Sequence, residues 1–301
     1  MADWSSLGER AEVTVFSDAL SDPDRLVQRL APFEVVCVMR ERTPLPAAVL
    51  ERLPRLKLIV STGPRNRAID TEAARRLGVA VADTGYSATP TIEFTWALIL
   101  ASARHIATEN AALRNGQWQQ RVGNDLNGRT LGVLGLGNIG SQAAAIGVAF
   151  GMRVIAWSEN LTQERAQAAG VTWVAKDELF AQSDILTIHL VLSGRTTGLV
   201  GARELALMKP TAHLVNTSRG PIVVEQDLIA ALTSGRLAAA ALDVFDVEPL
   251  PADHAFRRLP NVLATPHLGY VSDALYRTFY GDTVENIRAW LDGRPLPGLP
   301  T

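Results

Sequence analysis

Apolar positions in this chain come in short runs, separated by stretches where they recur every three or four residues. The runs Val13–Phe16, Val35–Met39, Leu58–Val60 and Val79–Ala82 read as strands. Asp24–Leu30, Ala47–Leu53 and Thr71–Leu77 read as the helices between them. Asp70 stands where it can cap the last of these and Gly78 where it can stop it. The alternation resumes further on, with strands at Val154–Trp157, Val171–Val174, Ile185–His189, His213–Asn216, Ala239–Leu242 and Val262–Ala264. Thr91–Ile106 reads as one long helix and Asp273–Leu291 as an amphipathic one. Strands alternating with helices give parallel sheets covered on both faces. The expected fold is therefore α/β, with two doubly wound, Rossmann-like units. No short-period repeat is visible.

One junction between strand and helix carries more information than the rest. Thr130–Gly140 runs from an apolar strand into Gly135-x-Gly137-x-x-Gly140, with Asn138 and Ile139 before the last glycine. A small-residue helix follows to Phe150 and stops at Gly151, and a second strand begins at Arg153. The first glycine permits a tight turn, the second lets a pyrophosphate approach the backbone, and the third lets helix and strand pack closely. The helix N-terminus then faces the negative charge. The segment reads as a dinucleotide-cofactor site.

Composition narrows the rest. With 301 residues there is room for two domains, and a net charge of −2 points to neither a nucleic-acid nor an acidic-membrane partner. The single cysteine, Cys37, excludes a disulfide within the chain and fits a reducing, cytoplasmic compartment. Its apolar run makes it a buried strand residue rather than a nucleophile. The N-terminus shows no secretory signal, and the longest apolar run, Phe94–Ala103, is too short to span a bilayer.

Three segments of the second half could do chemistry. In Val215-Asn-Thr-Ser-Arg219-Gly-Pro, an arginine follows a strand, where open parallel sheets bind ligands and where a guanidinium fork matches a carboxylate. Ala241-Leu-Asp243-Val-Phe-Asp246-Val-Glu248-Pro places acids at another strand end. Ala264-Thr-Pro-His267-Leu-Gly269-Tyr holds a histidine, the residue best suited to proton exchange near neutral pH, on a constrained loop. The other four read as structural: His105 at a helix end, His189 and His213 in or beside strands, His254 in a polar loop.

In that order and spacing, the glycine turn and these three segments resemble the D-2-hydroxyacid dehydrogenase family, from about Val35 to about Leu291. The resemblance implies a nicotinamide domain over residues 100–268, inserted in a substrate domain made of residues 1–99 and 269–301. It implies a homodimer formed mainly through the nicotinamide domains, acting on a small-molecule 2-hydroxyacid or 2-oxoacid. Arg219 is then the group for the substrate carboxylate. His267 is the general acid in reduction and the base in oxidation, and Glu248 its partner, favouring imidazolium. Asp243 resembles the contact to the nicotinamide carboxamide, with Thr217 and Gly269 also beside the cofactor. Thr62 and Gly63 match the loop whose amides hold the carboxylate. No metal is called for.

Two departures bear on specificity. Where the fingerprint expects an acid for the adenosine ribose, this chain has Ser158, then Glu159 and Asn160. Serine removes a charge that repels a 2′-phosphate, yet no arginine is present to bind one and Glu159 opposes it. The balance favours NAD, with NADP as the alternative. After Gly63, a stretch commonly small and glycine-rich reads Pro64-Arg65-Asn66-Arg67. Arg65, with Arg40 at another strand end, either contacts the substrate or lies on the rim. If they contact it, the substrate is larger than glyoxylate or pyruvate and carries a polar tail. The rival readings are a formate or phosphite dehydrogenase, against which Glu248 argues, and a nucleotide-sensing binding protein.

Overall fold

A computed structural model describes residues 2–297, apart from 19 and 21. The chain forms two compact units. One comprises Met1–Ser87 with Val271–Thr301, the other Ala88–Tyr270.

The first unit is built on three parallel strands, β1 (Val35–Val38), β2 (Leu58–Ser61) and β3 (Ala80–Asp83), in that spatial order. Val38, Ser61 and Asp83 are in register, so the segments that follow each strand emerge along one edge. Helices Pro23–Leu30, Ala47–Leu50 and Thr71–Arg76 pack with one face of the sheet through Leu26, Leu50, Ile59 and Ala73. On the other face, Leu58, Val60 and Ala82 meet Val284 and Ile287 of the helix Asp273–Leu291. Asp70 caps its helix as expected, accepting the Ala73 N–H at 2.8 Å, and Gly78 ends it with φ 73°.

The second unit has seven parallel strands: β4 (Thr130–Leu134), β5 (Arg153–Trp157), β6 (Thr172–Trp173), β7 (Ile185–Ile188), β8 (His213–Asn216), β9 (Ala239–Leu242) and β10 (Val262–Ala264). Their order is β10-β9-β8-β7-β4-β5-β6. The chain winds outward from β4 through β5 to β6, returns to β7, and then winds the other way. The switch point therefore lies between β4 and β7, where open α/β sheets take ligands. Alternate residues feed two cores: Leu134, Leu186, Ile188 and Leu214 one, and Leu131, Val133, Ile185 and Val215 the other. Burial on both faces explains why these strands read as continuous apolar runs.

Three expectations are corrected. Val13–Phe16 forms no strand and joins no ladder, and Val15 is 84 % exposed. The Phe16 ring instead packs edge-on to Phe33, with the Arg29 guanidinium 4.6 Å above it. Thr91–Ile106 is not one helix but two, Thr89–Ala103 and Ile106–Arg114. The ladder breaks because the Ala103 carbonyl accepts the N–H of Asn124 from the returning segment, and His105 turns left-handed (φ 53°). Cys37 is exposed, because β1 is an edge strand and this residue lies on the side opposite Val36 and Val38.

Candidate active site

The ladder register of the second unit brings its polar motifs to one edge. Leu134 pairs with both Trp157 and Ile188, Ile188 with Asn216, Asn216 with Leu242, and Leu242 with Ala264. The segments that follow, at Gly135, Ser158, His189, Thr217, Asp243 and Thr265, therefore leave the sheet side by side. Segments far apart in sequence become neighbours because every strand runs the same way.

The glycine turn has the geometry its sequence implies. Gly135 has φ 104°, and its N–H donates to the Trp157 carbonyl. A Cβ on Gly140 would lie 2.0 Å from the Gly135 carbonyl oxygen, so only glycine lets helix and strand approach this closely. A Cβ on Gly137 would meet no atom within 4 Å, and no side chain caps the helix Asn138–Ala149 that begins after it. An open glycine at an uncapped helix N-terminus is a cradle for a pyrophosphate. Asn138 is exposed and Ile139 half-buried on this first turn, and the Asn138 side-chain oxygen accepts from Gln142. Ser158 is half-buried and Glu159 exposed just past β5. Thr217 is buried and shares a 2.8 Å hydroxyl hydrogen bond with Thr95.

His267 and Glu248 meet as expected, with His267 Nδ1 2.7 Å from Glu248 Oε2. An ionised carboxylate only accepts, so Nδ1 carries the proton and donates. Nε2 is left as the atom for proton exchange. The other carboxylate oxygen of Glu248 accepts the Phe245 N–H at 3.1 Å, which fixes the acid itself. Both side chains are one-fifth exposed.

The Asp243 carboxylate holds the His267 loop from behind. Asp243 is 1 % exposed, and its carboxylate accepts Thr265 Oγ1 (2.6 Å) and the N–H groups of Leu268 (2.7 Å) and Gly269 (2.7 Å). His267 itself is left-handed, φ 56°, which turns these two successive amides toward one carboxylate. Burial raises the Asp243 carboxyl above its ordinary range, against the three donors. A role in holding the loop was not legible in sequence, since it depends on which loop lies over β9.

Arg219 is half-buried, and its guanidinium donates to the Ser218 carbonyl at 2.6 Å. The turn that presents it is fixed by Asn216, whose amide donates to the Arg219 carbonyl and accepts from the Ser218 N–H, both at 3.0 Å.

The first unit places Arg40, Thr62, Gly63 and Arg65 along its own sheet edge. Thr62 Oγ1 accepts the Arg40 N–H at 2.9 Å. The amides of Thr62 and Gly63, expected to hold a carboxylate, already donate to the Val38 carbonyl (3.1 Å) and Thr84 Oγ1 (2.8 Å). Arg65 is exposed in a left-handed conformation (φ 60°), and its N–H donates to Asp83 at 3.3 Å. The Arg40 Nε is buried without a hydrogen-bond partner. Asn66, to which the sequence assigned nothing, ties this edge together. It accepts from the amides of Glu41 and Ala68 and donates to Ser61 Oγ.

A seven-stranded parallel sheet with a glycine turn at its switch point, and a histidine–carboxylate pair on the same edge, defines a dinucleotide-dependent dehydrogenase. Comparison with known proteins gives the family. Residues 96–269 match the model of the D-isomer specific 2-hydroxyacid dehydrogenase NAD-binding domain. Glyoxylate reductase of Aeropyrum pernix is 41 % identical over 261 residues, 83 % of this chain and 78 % of that protein. D-3-phosphoglycerate dehydrogenase of Synechocystis is 36 % identical, and the match spans 49 % of that longer protein. The crystal structure of D-lactate dehydrogenase from Aquifex aeolicus, complexed with NAD and lactic acid, superposes with a TM-score of 0.74. It is 28 % identical, over 89 % of this chain and 85 % of that one. The chain belongs to the D-isomer specific 2-hydroxyacid dehydrogenase family. It is an NAD-dependent enzyme acting on CH–OH donors.

Proposed function

We propose that this enzyme interconverts a 2-oxoacid and its D-2-hydroxyacid with His267 as acid and base, Glu248 as its partner and Arg219 as the carboxylate group. The observation that carries the reading is the 2.7 Å bond between His267 Nδ1 and Glu248 Oε2 on the sheet edge that also presents Arg219 and the glycine turn.

Bound NAD supplies or accepts the hydride, a task no side chain can perform. It would be held by the turn Gly135–Gly140, with Ser158 and Glu159 toward the ribose and Thr217, Asp243 and Gly269 nearer the nicotinamide. Reduction of a ketone builds negative charge on its oxygen. His267 Nε2–H delivers a proton to that atom, while Glu248 compensates the charge on the ring. The Arg219 guanidinium binds the carboxylate through parallel N–H donors and keeps a positive charge beside the developing alkoxide. In oxidation, neutral His267 removes the hydroxyl proton.

Arg40 and Arg65 are proposed as contacts for the rest of the substrate. The buried Arg40 Nε supports this: it makes no hydrogen bond and has the Glu41 carboxylate no nearer than 3.8 Å, so it gains from a polar partner. A substrate with a polar or anionic tail fits that reading. A homodimer is also proposed, with the second copy covering Ile106, Leu113, Trp118 and Val122 of the second unit. Trp118 is 74 % exposed and Val122 93 %. Among the described residues, no helix is long and apolar enough to cross a membrane.

A panel of glyoxylate, pyruvate, a longer aliphatic 2-oxoacid and a dicarboxylic 2-oxoacid, run with NADH and followed by nicotinamide absorbance, tests the function. The expected result is oxidation of NADH dependent on a 2-oxoacid. No turnover with any of them would overturn it. If Arg40→Ala and Arg65→Ala leave the ranking of substrates unchanged, neither arginine selects the substrate.

A further inference from the structure

Glu225 and His254 form a second histidine–carboxylate pair in the same unit, 3.0 Å apart between Oε1 and Nε2. Each side chain is about one-sixth exposed (17 % and 16 %). Both ring nitrogens are committed. Nδ1 accepts the Phe256 N–H at 3.2 Å, so it bears no proton, and Nε2–H donates to Glu225. His254 therefore bridges two segments through both of its ring nitrogens.

Those two segments carry the proposed catalytic groups. Glu225 opens the helix Glu225–Thr233, close in sequence to Arg219 and Gly220. His254 follows Glu248 on the long connection from β9 to β10. From His254 the contacts continue inward. Its ring centroid lies 5.0 Å from that of Phe256, Phe256 lies 6.2 Å from Phe245, and the Phe245 N–H holds Glu248 Oε1. The segments touch at a second place. A Cβ on Gly220 would lie 2.1 Å from the Phe245 carbonyl carbon and 2.6 Å from the Asp246 nitrogen, so the two backbones are in direct contact there. A loop held at one point pivots about it, whereas a loop held at two keeps its orientation. Asp246 also interacts electrostatically with both members of the pair.

We infer that Glu225 and His254 are positioning residues, which with the Gly220–Phe245 contact hold the Arg219 turn and the Glu248 loop in a fixed relation. This rests on the roles proposed above for Arg219, Glu248 and His267. The pair touches none of the reacting atoms. It acts by keeping the carboxylate-binding guanidinium and the His267–Glu248 pair at the separation one substrate requires, where small displacements are costly.

The test is steady-state reduction of the best 2-oxoacid from the panel, with NADH affinity measured separately by fluorescence titration. His254→Asn keeps an acceptor for the Phe256 N–H and loses the link to Glu225, while His254→Gln puts a donor back near the Nε2 position. His254→Asn and Glu225→Ala should each lower kcat/KM by about tenfold or more, with NADH affinity within about twofold of the parent. His254→Gln should recover most of the loss. Glu225→Gln, which keeps an acceptor, gives the same reading if Glu225→Ala does not fold. Activity of His254→Asn near that of the parent, NADH affinity falling in step with activity, or no recovery by His254→Gln would each overturn the inference. Arg219→Ala and His267→Ala are run alongside. If these two are inactive and the pair's variants are not, only the positioning role fails; if these two stay active, the catalytic assignments fail.

Discussion

At the scale of single residues, the chemistry rests on a few atoms. His267→Ala removes the proton donor, and Arg219→Ala removes the charge beside the developing alkoxide. Each should lower kcat for 2-oxoacid reduction by roughly 10²–10⁴-fold, the usual worth of general acid catalysis, with the far-UV circular dichroism unchanged. Near-parent rates for either would remove it from the mechanism. Glu248 serves two donors, His267 Nδ1–H and the Phe245 N–H, one on each oxygen. Glutamine has a single acceptor oxygen, so Glu248→Gln leaves one donor facing an NH₂ group. A drop of about tenfold in kcat/KM is expected, the cost of a charge-assisted hydrogen bond, and stopped-flow measurement of the chemical step checks it. Ser158 and Glu159 bring no guanidinium to a 2′-phosphate. NADH should therefore give a higher kcat/KM than NADPH, and the reverse ranking would show that Glu159 turns away.

At the scale of elements, the glycine turn is the most constrained piece. The methyl group of Gly140→Ala would stand 2.0 Å from the Gly135 carbonyl oxygen, in the backbone of the turn. The helix must then move off the strand. NADH binding by fluorescence titration should be lost or weakened far more than in Gly281→Ala, where a Cβ meets no neighbour. Equal affinity in the two variants would mean the turn does not hold the cofactor. Most elements were legible because each rests on local rules. Asp70 caps, Gly78 and Gly151 stop helices with φ 73° and 72°, and β4 and β7 to β9 are apolar because both faces are buried. The misread elements depended on distant partners. Val13–Phe16 has strand-like residues and no ladder, and Thr89–Ala103 ends where Asn124 takes the Ala103 carbonyl.

At the scale of the molecule, two histidines, His213 buried and His189 half-buried, weaken the fold on the acid side. Burial pushes His213 down to about 4 from an ordinary 6.5, with its Nδ1 2.8 Å from Ser102 Oγ. Burial likewise pushes His189 down to about 4. The folded protein holds both rings neutral, so the unfolded chain binds more protons between these values. Stability is full above about 6.5 and falls as the pH drops toward 4. Urea titrations across this range should show the decline, and His213→Gln should flatten part of it. An equal slope in the variant would refute the assignment to His213. The proposed dimer belongs to this scale as well. Trp118→Ser with Val122→Ser should shift the mass in multi-angle light scattering toward the monomer. A parent that is already monomeric would overturn the proposal.

The sequence by itself determined the α/β class, most strands and helices, the glycine turn, and Arg219, Glu248 and His267 as the groups to look for. These are local or pairwise signals: a period of apolar residues, a capping acid, a glycine where the backbone must turn, a motif in a known order. The tertiary structure decided which strand ends lie side by side, through a register set by packing on both faces of the sheet. It also decided that Asp243 spends its carboxylate on the amides of Leu268 and Gly269, that Thr84 occupies the Gly63 amide, and that His254 meets Glu225 rather than solvent. Each of these joins groups separated in the chain by loops whose path no local pattern encodes, and only the packed fold brings donor and acceptor within 3 Å or so of each other.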